Sequence, residues 1–204
     1  MNFRLLLLIA FTGCALSSLS QEPDVDVTNV TKITILNPGL SHERRIGKFQ
    51  TVYGQFFMNL STVGDYSNSY DPNIRFYFDP AVTLQYRYYY NAYKRAELEK
   101  RTAMNSMNYI ALITEFIASK MPLSADYFEE SSLRAINRFG AAWGFQRNLA
   151  GRFSIDLNLG LGYLTAKGTR YNGNGQLVKR TITAPSLIGQ LNLGFWINKK
   201  NGEE

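Results

Sequence analysis

The chain has 204 residues, a formal net charge of +6 and a single cysteine. That length suits one compact domain and leaves no room for a separate enzymatic or peptidoglycan-binding module. Its basic residues are scattered among turns and loops rather than gathered in one stripe, which speaks against nucleic-acid binding.

The chain opens with a positive residue, Arg4, followed by the apolar run Leu5-Leu6-Leu7-Leu8-Ile9-Ala10-Phe11. This pattern predicts a secretory signal peptide over residues 1–20 and a mature domain over residues 21–204. The run falls short of the ~20 apolar residues that a membrane-spanning helix needs, and no other stretch comes closer. Two processing routes compete: cleavage between Ser20 and Gln21, or lipidation at Cys14 within Phe11-Thr12-Gly13-Cys14-Ala15. Cleavage is the better fit, because lipid-attachment patterns usually begin with Leu. On that route the cysteine leaves with the signal, and the mature protein has no disulfide, thiol nucleophile or thiolate metal site.

The first strand is expected over Val25 to Leu36, with Ile33 and Ile35 on one face. Asn37-Pro38-Gly39 should then reverse the chain, Pro followed by Gly being favoured at the centre of a type II turn. Leu40 to Ile46 descends into a tight turn at Arg45 to Lys48, and Val52 to Leu60 forms the next strand. A rival reading, one bent strand from Lys32 to Arg44, would leave seven strands and put the chain's two ends on opposite sides of a barrel. Val82, Leu84, Tyr86, Tyr88 and Tyr90 alternate with Thr83, Gln85, Arg87 and Tyr89. Tyr109 to Ile117 is a further strand. Phe139, Ala141, Trp143 and Phe145 alternate with Arg138, Gly140, Ala142, Gly144 and Gln146.

The clearest stretch is Phe153 to Tyr163, in which every odd-numbered residue is large and apolar and every even-numbered one small or polar. Period-two alternation over that length matches a transmembrane β-strand, which needs ~9 to 11 residues with aromatics near its ends. Near the C-terminus, Leu191, Leu193, Phe195 and Ile197 alternate with Gln190, Asn192, Gly194 and Trp196.

The connections sort by length. Arg45 to Lys48 and Asn148 to Arg152 are short; Ser61 to Asn73, Ser119 to Ser132 and Ala166 to Pro185 are long and polar. Outer-membrane barrels place short turns in the periplasm and long loops outside. Asn91 to Asn105 falls on the short-turn side yet is long and basic, and reads as an extended periplasmic turn. The fold class that follows is all-β: an eight-stranded antiparallel up-and-down transmembrane barrel. A soluble barrel of the lipocalin kind is the rival. The polar face favours the membrane, since it carries Gly, Asn, Ser and Gln rather than the Lys, Glu and Thr usual for water, and small residues suit a narrow interior.

Several phrases resemble the porin-like eight-stranded barrels of Bacteroidota, relatives in fold of the OmpA and OmpX barrels. They are Asn37-Pro38-Gly39-Leu40-Ser41-His42-Glu43-Arg44-Arg45-Ile46-Gly47-Lys48, Tyr86-Arg87-Tyr88-Tyr89-Tyr90-Asn91, Trp143-Gly144-Phe145-Gln146-Arg147-Asn148 and Leu157 to Tyr163. His42 stands where that family has an aromatic. The resemblance implies a bacterial outer-membrane location, contact with outer-membrane lipids and lipopolysaccharide, and insertion by the barrel-assembly machinery. It implies little chemistry.

Projected onto the strands, Glu43, Arg87 and Asp156 point inward near the short-turn end, and Glu115 with Arg138 near the loop end. Charges in a narrow interior must pair to offset desolvation, so these are candidate ion pairs of structure, or of a gate. Ser41-His42-Glu43 is no hydrolytic triad, because adjacent strand residues face opposite ways. The basic turn segments Tyr93-Lys94-Arg95 and Lys100-Arg101 read as solvated or headgroup-facing. Tyr127-Phe128-Glu129-Glu130 and Tyr171-Asn172-Gly173-Asn174-Gly175 are loop candidates for contact with a surface partner. No metal-ligand cluster, nucleotide fingerprint or cofactor motif is present. The expected function is a non-enzymatic envelope or surface-contact protein with a packed polar lumen; the alternatives are a low-conductance pore and a lipid A-modifying enzyme.

Overall fold

A computed structural model describes residues 24–65, 73–123 and 132–198. The expected signal segment, Cys14 and Tyr127 to Glu130 lie outside the described residues. The fold is all-β: β1 (Val30–Leu36), β2 (Gly39–Gly47), β3 (Gln50–Asp65), β4 (Asn73–Tyr88), β5 (Asn108–Ser119), β6 (Arg134–Asn148), β7 (Phe153–Tyr171) and β8 (Leu177–Trp196). Each strand pairs antiparallel with its neighbours in sequence, and β1 closes on β8, so the ring has no free edge. The eight-strand count therefore prevails over the seven-strand rival. No helix among the described residues is long and apolar enough to cross a membrane.

The strands are staggered. Followed from strand to strand through the paired residues, the ring that leaves β7 at Phe153 returns to β7 at Thr165, by way of Phe195, Ile33, Leu40, Phe56, Val82, Phe116 and Asn137. Such a stagger inclines the strands to the barrel axis. The offset preserves residue parity, so each face keeps its character all the way round.

Four expectations need correction. The first strand begins at Val30, not Val25. Asp26 captures the preceding segment: its carboxylate pairs with Arg45 and accepts the Phe49 N–H at 3.1 Å, drawing residues 24–29 across the end of the barrel. The first reversal is not a Pro-Gly type II turn, which would place Gly39 at positive φ. Asn37 takes the left-handed conformation instead, at φ 53°, a region that Asn tolerates better than most residues. Gly39 is needed for another reason: a Cβ there would run into the Phe56 carbonyl on β3. The second hairpin turns at Lys48-Phe49, with Gly47 opposite Gln50. Last, Ser61 to Asn73 and Ala166 to Pro185 are not wholly loops. β3 and β4 stay paired up to Asp65 opposite Asn73, and β7 and β8 up to Tyr171 opposite Leu177.

The long segment between β4 and β5 forms a short helix, α1 (Ala92–Glu97), and a 3-10 turn at Ala103–Asn105. It docks against the barrel rather than standing free. Asn105 exchanges two hydrogen bonds with the backbone of Thr28, each 2.8 Å. Arg101 donates to the Asn148 carbonyl at 2.6 Å, and Arg95 to the Arg101 carbonyl at 3.0 Å. Tyr93 meets Phe49 edge to face with ring centroids 5.0 Å apart. The basic segment is thus a cap on the short-turn end, and its arginines serve backbone carbonyls.

Candidate functional site

The interior builds up from the parity of each strand. On β4, Thr83, Gln85 and Arg87 face inward and are buried, while Val82, Leu84, Tyr86 and Tyr88 face outward. On β7, Ser154, Asp156 and Asn158 are buried, whereas Leu159 is 61% and Leu161 71% exposed. The outer wall is accordingly apolar and the inner wall largely polar.

Near the short-turn end the inner wall holds a compact network. Asp156 is its centre: it accepts from Arg87 Nη1 at 2.9 Å, Lys32 Nζ at 3.1 Å and the Tyr109 hydroxyl at 2.6 Å. Glu43 accepts from the Thr51 hydroxyl at 2.6 Å, the Tyr89 hydroxyl at 2.5 Å and Gln146 Nε2 at 3.2 Å. Gln146 joins the two halves, because its Oε1 receives both Lys32 at 2.6 Å and Arg87 at 3.0 Å. The Arg87 guanidinium lies between two rings, 3.8 Å from the Tyr53 centroid and 4.3 Å from that of Tyr109. All of these side chains are buried. Two cations thus face two carboxylates in a low-dielectric interior, where charge balance offsets much of the desolvation cost.

Gly144 makes room for this arrangement. A Cβ there would overlap the Tyr109 ring, and Tyr109 could not then reach Asp156. The sequence expectation placed Glu43, Arg87 and Asp156 together, and the structure puts them in one network, although Glu43 touches neither of the other two in a salt bridge. Lys32, Gln146 and the three tyrosines were missed. Lys32 shares its parity with the inward side of the first strand, opposite to Ile33, and that signal was available.

The second expected pair is also formed. Glu115 and Arg138 stand directly opposite on β5 and β6 and meet at 2.7 Å. Arg138 is part-exposed, so this pair is softer than the Asp156 network. His42 lies on the outer wall, its Nδ1 2.9 Å from the Thr31 hydroxyl, while Ser41 and Glu43 point inward. The three do not converge.

The interior is not polar throughout. Val27, Phe49, Tyr89, Ala92, Met107, Tyr109, Ala111 and Ile113 form an apolar cluster running from the cap into the barrel. A second cluster of Phe57, Ala81, Ile117, Leu123, Ile136 and Ala166 fills the long-hairpin end. The expected packed polar lumen is therefore mixed: the first apolar cluster shares Tyr89 and Tyr109 with the Glu43 and Asp156 network and packs alongside it, and the second closes the long-hairpin end. Among the described residues no group of three or more His, Cys, Asp or Glu is placed to hold a metal ion. Chemically the network can hold charge and bridge strands; none of its groups lies at a surface where a substrate would reach it.

No family model, curated protein or solved structure matches the chain. The resemblance to porin-like barrels rests on the quoted phrases of sequence alone.

Proposed function

We propose that this protein is an outer-membrane β-barrel of a Gram-negative bacterium, an up-and-down barrel that crosses the lipid with its strands and serves as a non-enzymatic envelope or surface-contact component. The observation that carries the reading is the inverted polarity of the barrel. Ile33, Phe56, Leu84, Leu112, Leu159, Leu161 and Leu187 all project outward and are roughly half or more exposed, while Glu43, Arg87, Gln146 and Asp156 are buried. A continuous apolar wall of this extent is far beyond what water-exposed monomers carry. Lipid resolves it, since closed barrels satisfy every backbone group internally and offer an apolar band to the acyl chains. A soluble ligand carrier would need the opposite arrangement, apolar inside and polar outside.

Aromatic residues support the same placement. Tyr86, Tyr88, Tyr90 and Trp143 mark the outer wall near the short turns, with Trp143 Nε1 donating to the Tyr90 hydroxyl at 2.7 Å. Phe139 and Tyr163 stack toward the other end, 5.8 Å apart. Girdles of this kind border the lipid band of outer-membrane barrels.

The plugged interior favours a barrier over a pore. Water passing through would meet the cap, the Asp156 network, the Glu115–Arg138 pair and the second apolar cluster in turn. The test is reconstitution of purified protein into planar bilayers, alongside fractionation of the producing cells. The proposal expects recovery in the outer membrane with no unitary current. Steady channel openings would replace it with the pore, and altered lipid A on overexpression would replace it with the enzyme.

A further inference from the structure

At the long-hairpin end the outer wall of β6, β7 and β8 changes character over one strand rung. Phe139, Tyr163 and Pro185 lie side by side in register, and Ala141, Leu161 and Leu187 form the rung below them. Two residues higher the same face carries Asn137, Thr165 and Thr183, with the two threonine hydroxyls 3.4 Å apart. Higher still come Lys167 opposite Thr181, and then Lys179. The face thus passes from apolar through hydroxyl and amide to cationic.

Two concavities coincide with this gradient. A groove of about 450 Å³ is lined by Leu161, Tyr163, Pro185 and Leu187, and a cleft of about 460 Å³ above it by Asn137, Thr165, Lys167, Lys179 and Thr181. Lys167 and Lys179 are exposed, and neither has a carboxylate partner among the described residues. Elsewhere in the barrel the buried cations Lys32 and Arg87 are matched by Asp156, and the part-exposed Arg138 by Glu115. The cleft is also held in shape, since Arg134 Nη1 donates to the Lys167 carbonyl at 3.0 Å and ties the start of β6 to β7.

The geometry points to a binding site for one amphiphile, a phosphorylated glycolipid of the outer leaflet, whose phosphate meets Lys167 and Lys179, whose sugar hydroxyls meet Asn137, Thr165 and Thr181, and whose acyl chain lies in the groove below. The site rests on the membrane placement proposed above and deepens it by naming the lipid chemistry and the strands that hold it. A zwitterionic lipid offers no net charge to two unmatched lysines. A free phosphate leaves the apolar groove unused.

Native mass spectrometry of the full chain in detergent, loaded with bisphosphorylated lipid A, tests the assignment. Wild type should retain the lipid, and K167Q/K179Q should bind it about thirtyfold more weakly, as expected for two basic side chains acting on an anionic headgroup. Lipid A stripped of its phosphates should bind wild type about as weakly as the intact lipid binds the double variant. Equal retention by both proteins, or equal retention of phosphatidylcholine, would overturn the site. So would displacement of the lipid by inorganic phosphate at equal concentration, which would leave the groove without a role. Insertion of both proteins into vesicles, read by protease protection, separates the two levels: insertion without selective binding refutes this site alone, and failure to insert refutes the membrane placement as well.

Discussion

Asp156→Asn perturbs the interior network at its centre while keeping the shape of the side chain. It removes the carboxylate that, alone among the described residues, forms a salt bridge with Lys32 and Arg87, at 3.1 and 2.9 Å. Glu43 cannot compensate, because it is already committed to Thr51, Tyr89 and Gln146. Two buried cations are then left facing neutral groups. Breaking a buried pair in this way costs about 3–5 kcal/mol. Adding Lys32→Met removes one of the uncompensated charges, so the double variant should recover part of the loss, with a coupling of about 1–3 kcal/mol, within the range of residues sharing one network. The assay is urea unfolding in lipid vesicles, followed through the fluorescence of Trp143 on the outer wall and Trp196 inside. An Asp156→Asn protein within about 0.5 kcal/mol of wild type, the usual size of an inconsequential substitution, would refute the reasoning.

Other outcomes follow from the same structure. Arg138→Ala should cost less than Asp156→Asn, about 1.5–3 kcal/mol for loss of a charged hydrogen bond, and should leave the bilayer silent; a conducting variant would reveal Arg138 as a gate. Gly144→Ala should drive Tyr109 off Asp156 and lower stability by about 1–3 kcal/mol through overpacking, measurable in the same urea titration. A short epitope inserted between Gly173 and Asn174, in the turn that joins β7 to β8, should be tolerated and accessible to antibody on intact cells, because exposed turns accept insertions. Access only after lysis would invert the orientation.

Much of the fold was legible because alternation is strict wherever the outward face is apolar and the inward face small or polar. Phe153 to Tyr163 displays this plainly, and β4, β6 and β8 follow it. β5 was harder: Ile110, Leu112 and Phe116 face outward, but Ala111, Ile113 and Ile117 face inward and are also apolar, so the pattern there does not say which side is which. The upper parts of β7 and β8 were misread for the opposite reason. Thr165 to Tyr171 and Leu177 to Thr183 continue the hydrogen-bonded ladder beyond the apolar band, where outward residues become polar and the alternation signal fades. Val25 and Val27 alternate like a strand, yet Asp26 and Asn105 redirect that segment into the cap; only tertiary contacts could reveal this.

Of the interior charges, all five candidates faced inward as parity required. Their partners were less visible, since Gln146, Tyr53, Tyr89 and Tyr109 join the network by position around the ring, and no spacing along the chain encodes which strands converge on one rung.

The central proposal is that the outward face meets lipid, and a depth profile on one strand tests it most directly. Arg would replace Ile155, Leu157, Leu159, Leu161 and Tyr163 one at a time, with unfolding free energies measured in vesicles. The membrane placement predicts a peak of about 2–4 kcal/mol near Leu159, falling to about 0–1 kcal/mol toward the ends of the span. A flat profile near zero, with the variants folded in water, would contradict it.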